Sequence, residues 1–124
     1  MTDSTYPKQV RLTSRFITVE IDDVSTAGQV YVVPGFRGKI KKIWTALNGA
    51  IATANAVLTA KIGGVAVTGG AVTIATASSA AGDVDSATPT ALNSFTEGQA
   101  IEIETNGAST NTVKVVVTLE LEAT

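Results

Sequence analysis

Val113-Lys114-Val115-Val116-Val117-Thr118-Leu119-Glu120-Leu121-Glu122 puts Val113, Val115, Val117, Leu119 and Leu121 at every second position. Lys114, Val116, Thr118, Glu120 and Glu122 fill the places between. A side-chain period of two belongs to a β-strand with one face in a core and the other in water. The pattern recurs in residues 99–105, with Ile101 and Ile103 on one face and Glu102 and Glu104 on the other. Residues 15–22 repeat it, setting Ile17, Val19 and Ile21 against Phe16, Thr18 and Glu20. Residues 29–33 and 57–62 read as further strands, and Pro34-Gly35 stops the first of them. Gly38–Leu47 changes phase partway: Ile40, Lys42 and Trp44 share one parity, and Ile43, Thr45 and Leu47 the other. A β-bulge at Lys41-Lys42 accounts for the shift.

Turn signals separate these runs. Gly63-Gly64 reads as a two-residue hairpin turn into residues 65–67, and Thr68-Gly69-Gly70 as a second turn into a strand over 71–77. Asn48-Gly49 is a turn, and residues 51–56 are a loop or a short helical turn. Residues 78–82 form a small-residue loop, 83–88 an edge strand ended by Pro89, and 91–95 a short apolar segment. Valine, isoleucine and threonine number 15, 9 and 19, so 43 of the 124 residues are β-branched, which favours strands over long helices. Connections this short exclude helical crossovers and imply antiparallel order. The expected fold is all-β: an antiparallel two-sheet β-sandwich of the jelly-roll kind, with an immunoglobulin-like sandwich as the alternative. Residues 1–14 are polar and read as an extended N-terminal arm, and 15–124 as one domain.

Composition narrows the chemistry. The chain has no cysteine and no histidine, which removes disulfides, thiolate catalysis, the usual zinc ligands and the Ser-His-Asp triad. Asp22-Asp23, Asp83-Val84-Asp85 and Glu102-Ile103-Glu104 are the paired carboxylates. Glu102 and Glu104 sit on the outward face of a strand, and Asp83 with Asp85 lacks the further ligands of an EF-hand loop. Gly35-Phe36-Arg37-Gly38-Lys39 is no Walker loop, and although it matches the GxxG of KH domains, the helices that flank such a loop are missing. No catalytic constellation emerges, no cofactor is implied, and the chain reads as a non-enzyme.

Arg37, Lys39, Lys41 and Lys42 form a compact basic cluster, with Phe36 and Trp44 nearby. The net charge of −2 argues against a nucleic-acid partner, and a basic rim at a protein interface fits better. Trp44 is an interface anchor or a sugar-stacking platform, and Val116 marks an apolar position on the outer face of the last strand. Residues 1–62 carry eight Lys/Arg and four Asp/Glu, while 63–124 carry one and seven, giving +4 and −6. Such polarity either orients the domain against a partner or averages out between interleaved strands. No signal peptide or membrane-spanning run is visible, so a soluble protein made in a cytoplasm is expected.

Gly38-Lys39-Ile40-Lys41-Lys42-Ile43, Asn48-Gly49-Ala50, the turn patterns of residues 58–110 (IGG-x-x-VTGG, EG-x-x-IEIET) and the valine-rich last strand resemble small proteins encoded among tailed-bacteriophage head genes. They look like capsid decoration, or cement, proteins: jelly-roll or similar β-sandwich modules on the outside of the shell. The resemblance covers residues 29–121. It implies a structural role at the capsid surface of the virion, with the major capsid protein as partner and a homo-oligomer, a trimer by preference. Tyr6, Lys8, Arg11 and Arg15 in and beside the arm are the candidate capsid contacts, and Arg37, Lys39, Lys41, Lys42, Trp44 and Val116 the candidate subunit-interface or ligand surface. A carbohydrate-binding module of a virion fibre or head surface is the other function these residues fit.

Overall fold

A computed structural model describes residues 14–124, which form nine strands and, among them, no helix. They are β1 (Ser14–Ile21), β2 (Gly28–Val32), β3 (Gly38–Leu47), β4 (Ala56–Ile62), β5 (Val65–Ile74), β6 (Val84–Ala87), β7 (Ser94–Phe95), β8 (Ile101–Thr105) and β9 (Val115–Ala123). Two antiparallel sheets face each other, ordered β1-β9-β3-β6 and β2-β8-β4-β5, with β7 joining the same edge of β3 as β6.

The topology follows from one long hairpin. Its apex is Gly63-Gly64, whose φ values of +61° and +79° are the left-handed pair that a tight two-residue turn requires and that glycine adopts without strain. From there β4 pairs β5, β3 pairs β6 and β7, β2 pairs β8, and β1 pairs β9. Winding this double strand about a core throws successive pairs onto opposite sheets. The winding also makes two new contacts, β3 with β9 and β4 with β8. That is a jelly roll, and it settles the choice against the immunoglobulin-like order.

The alternating positions become the core. Val115, Val117, Leu119 and Leu121 are fully buried because β9 lies between β1 and β3 in the middle of its sheet. Ile40, Ile43 and Leu47 from β3 meet Leu58, Ile74, Ile101 and Ile103 from the opposite sheet, and Phe95 closes one end. The bulge in β3 falls where the sequence places it: the pairing with β9 shifts between Ile40 and Lys42, leaving Lys41 unmatched.

One expectation needs correction. Thr68-Gly69-Gly70 does not reverse the chain; Val65–Ile74 is one strand with a wide bulge. Lys61 pairs Ala66 and Thr59 pairs Ala71, so two steps along β4 match five along β5. Thr68 instead exchanges backbone hydrogen bonds with the loop before β7, its N–H donating to Ala91 O and its carbonyl accepting from Thr90 N–H. Gly69 makes this possible, with φ at +75° and so little room that a Cβ would lie 2.9 Å from the Thr88 carbonyl. The edge strand expected over 83–88 forms as Val84–Ala87, and within 91–95 Ala91 bridges Thr68 while Ser94-Phe95 pairs β3. Residues 51–55 are loop, joined to the β8–β9 connection by the bridge from Ala52 to Thr110 and by a hydrogen bond between the Thr53 and Thr110 hydroxyls.

Candidate functional site

The outer face of the β1-β9-β3-β6 sheet brings several sequence-level candidates together. In register across the strands, Val84, Ala46, Val116 and Glu20 form one row, and Ser86, Trp44, Thr118 and Thr18 the next. Lys42, Glu120 and Phe16 form a third. Trp44, Ala46, Val84, Val116 and Thr118 line a shallow depression of about 230 Å³. Phe16 is 62% exposed and Val84 60%, so this face carries apolar area that the isolated sandwich leaves in water. Trp44 and Val116, far apart in sequence, thus belong to one surface. Phe16, Ala46 and Val84 were missed. Outward parity on residues 15–22 already exposes Phe16, but Val84 needs the β3–β6 pairing, which no local pattern reveals.

Three cations of the basic cluster meet the end of β9, and the fourth lies over Trp44. Arg37 lies in the β2–β3 loop, donating from Nε and Nη2 to the Thr124 carbonyl at 3.3 and 3.1 Å. Lys39 and Lys41 flank Glu122, at 3.5 and 4.0 Å. Lys42 extends over the indole of Trp44, its Nζ 5.2 Å from the ring centroid, and so covers part of the surface a sugar would stack on. Arg15 sits at the start of β1 over the Phe36 ring, 5.6 Å from its centroid, at the end of the sandwich. Tyr6, Lys8 and Arg11 lie outside the described residues.

The carboxylates also separate by role. Glu102 and Glu104 face outward on β8, and Glu104 holds Lys61 at 2.8 Å, a hydrogen bond that raises the lysine's pKa. Asp23 caps its own turn: Oδ1 accepts from the Ser25 hydroxyl and N–H, and Oδ2 from the Thr26 hydroxyl, which together hold its pKa below the ordinary value. Asp85 points inward from β6, opposite Thr45 on β3. Its Oδ2 and the Thr45 hydroxyl are both buried without a hydrogen-bond partner. Desolvation, with the nearby charge of Asp83 added, pushes the Asp85 pKa up. Among the described residues no group of three or more Asp or Glu is placed to hold a metal ion. Nor is any helix among them long and apolar enough to cross a membrane.

Two further features complete the surface. Tyr31 is 60% exposed on the outer face of the second sheet, so it and Trp44 lie on opposite sides of the sandwich. At the hairpin-apex end, Ile62, Val65, Leu92, Ser94 and Gln99 line a depression of about 460 Å³. Leu92 is 63% exposed there and held at φ +55°, a left-handed conformation no sequence signal marks. No protein-family model matches the sequence, and no curated protein is significantly similar to it.

Proposed function

We propose that this chain is a non-enzymatic structural protein of a tailed-bacteriophage virion that binds the outside of the capsid and stabilises the shell. The observation that carries the reading is the outer face of the β1-β9-β3-β6 sheet. A rigid jelly roll there presents Trp44, Ala46, Val84 and Val116 as one apolar depression beside the exposed Phe16. Burying an exposed Phe or Val side chain against a partner yields on the order of 1.5–3 kcal/mol. A module that binds only the assembled lattice of the major capsid protein stabilises that lattice by mass action, without catalysis or cofactor. Neither nucleic acid nor membrane takes part in this reading.

The test is quantitative mass spectrometry on gradient-purified particles, followed by re-addition of the purified protein to particles stripped of it. Copy numbers comparable to the major shell protein, and a rise in the temperature at which stripped particles break, are the expected results. Absence from the particles, or re-binding with no change in their heat resistance, rejects the proposal. The exposed Tyr31 favours a second reading, a carbohydrate-binding module. In that case a glycan screen returns a ligand whose binding is lost in Tyr31→Ala or Trp44→Ala.

A further inference from the structure

An asparagine side chain in a loop commonly bonds a nearby backbone group, and that bond holds its amide in place. Four of the five asparagines here do so. Asn55 Oδ1 accepts from the Thr76 N–H at 2.9 Å, Asn93 Nδ2 donates to the Ile40 carbonyl at 2.7 Å, and Asn111 Nδ2 donates to the Ala50 carbonyl at 3.3 Å. Asn106 Oδ1 accepts twice, from the Val57 N–H at 3.2 Å and the Ala108 N–H at 3.1 Å. Asn48 is the exception. Its side chain is exposed, and among the described residues no group bonds its amide.

Asn48 and Asn106 stand in the same tripeptide, Asn-Gly-Ala, so any difference between them comes from the fold. Their backbones differ. The Gly107 N–H donates to the Thr105 hydroxyl at 3.4 Å, and a Cβ on Gly107 would run into the Ala27 backbone nitrogen, so the chain there is pressed against a neighbour. The Gly49 N–H has no partner among the described residues. A Cβ on Gly49 would meet only the Val113 methyl groups, at 3.7 and 3.9 Å, which is ordinary contact. The chain is tied on both sides of this glycine: the Asn48 N–H donates to the Lys114 carbonyl at 3.0 Å, and the Ile51 N–H to the Ser79 hydroxyl at 3.1 Å. Between those anchors an unbonded amide lies next to an unbonded backbone nitrogen.

We infer that Asn48 is a site of spontaneous covalent modification, the deamidation of its side chain, and that the fold protects Asn106 from the same reaction. The Gly49 backbone nitrogen attacks Cγ of Asn48, and the new N–C bond closes a succinimide ring. The side-chain nitrogen leaves as ammonia, carrying the proton that the Gly49 nitrogen gives up. Water then adds to one of the two ring carbonyls and breaks its bond to nitrogen, which regains a proton. Opening at Cγ leaves aspartate in place of Asn48, and opening at the main-chain carbonyl leaves isoaspartate; nothing is oxidised or reduced. Glycine favours the attack because no side chain shields its nitrogen. At Asn106 the amide must first release Val57 and Ala108, and the Gly107 nitrogen must leave Thr105. At Asn48 the attack breaks no hydrogen bond. The product adds a negative charge to the end of the sandwich where the neighbouring strand link already carries Asp83, whose carbonyl accepts from the Leu47 N–H. Isoaspartate also inserts a methylene into the main chain between the Lys114 and Ser79 anchors, beside the buried Ile51.

The test follows the full chain in mildly alkaline buffer by peptide mass spectrometry, with electron-transfer fragmentation to tell isoaspartate from aspartate. Conversion at Asn48 is expected on the order of tenfold faster than at Asn106, the ratio that about 1.4 kcal/mol of extra barrier produces. In urea beyond the unfolding transition the two Asn-Gly-Ala sites convert at similar rates, because the bonds that separate them are gone. Asn48→Gln, at an exposed position, keeps the amide and the fold while its longer side chain closes the ring far more slowly, and conversion at that position stops. Equal rates at the two sites in the folded protein overturn the inference. So does an excess at Asn48 that persists undiminished in urea, which would come from flanking sequence and not from the fold. An Asn48 that stays intact in the folded chain while the unfolded chain converts overturns it as well.

Discussion

Phe95 is the largest side chain in the core and stands on the shortest strand, which makes its removal an informative perturbation. It is 2% exposed and meets Phe36 edge to face, with ring centroids 5.6 Å apart and planes at 69°. Phe36 comes from the β2–β3 loop, so the pair ties that loop to β7 and closes one end of the sandwich. Phe95→Ala forfeits the transfer energy of a buried ring and leaves a cavity that β7, pinned by its pairing with Gly38 and Lys39, cannot collapse into. The expected loss is about 3–5 kcal/mol, a large part of the roughly 5–15 kcal/mol by which such domains are stable. Phe36→Leu removes the ring contact with less change in volume and costs about 1–2 kcal/mol. In a double-mutant cycle by urea denaturation the two rings couple by about 0.5–1.5 kcal/mol. A loss under about 1.5 kcal/mol for Phe95→Ala, on the scale of core truncations, refutes the reasoning, because it shows an end that yields to fill the space. Strict additivity of the pair removes the edge-to-face contact from the account.

Gly69→Ala forces a left-handed residue to carry a Cβ against the Thr88 carbonyl and costs about 1–3 kcal/mol in the same assay; a neutral result disproves the bulge geometry of β5. Asp85 and Asp23 respond to pH with opposite signs. The raised pKa of Asp85 means its contribution is fully present below the ordinary 3.8 and lost as pH rises through the folded value. Asp85→Asn is therefore more stable than the parent at pH 7, with the gap closing toward pH 3 in thermal melts. Asp23, with its pKa lowered, contributes above 3.8 and loses that contribution as pH falls through the folded value, so Asp23→Asn is less stable at pH 7 and converges with the parent in acid. The same sign for both variants contradicts the assignment. Glu122→Gln breaks the contacts to Lys39 and Lys41, whose side chains are half-exposed, and costs less than about 1 kcal/mol, vanishing in high salt.

Strands with one wet face were legible because alternation is a local property. Residues 99–105 and 113–122 announce their buried positions without reference to anything else. The bulge at Lys41 was legible for the same reason, since an extra residue switches parity within one strand. The β5 bulge was misread because Thr68-Gly69-Gly70 has the composition of a turn. What keeps the chain running straight is the bond between Thr68 and Ala91, more than twenty positions away. The surface around Trp44 was half legible: parity turns Trp44 and Val116 outward, but only the pairing of β9 with β3 sets them side by side. Asp85 reads from sequence as half of a carboxylate pair on an edge strand, without the further ligands of an EF-hand loop. Its inward aim depends on where β6 begins, and a carboxylate held there fits an edge guard better than a ligand.

The long hairpin also explains the charge asymmetry. The boundary between the basic and acidic parts of the chain coincides with Gly63-Gly64, the apex about which the chain doubles back. Doubling back lays the basic arm along the acidic one, so opposite charges become neighbours. Lys61 of β4 meets Glu104 of β8, and Lys39 and Lys41 of β3 meet Glu122 of β9. The two pairings that carry these contacts, β4 with β8 and β3 with β9, are the ones created by winding the hairpin, and neither has a tight turn to set its register. Turn geometry and the inward face fix most strand registers; like charges brought opposite each other by a slip add a penalty to every wrong alternative. Polarity between the two arms therefore acts within one molecule, on the choice of register. What remains uncompensated gathers at the end opposite the apex, where Asp22, Asp23 and Asp83 occupy the loops with Lys114 as the one cation among the described loop residues there.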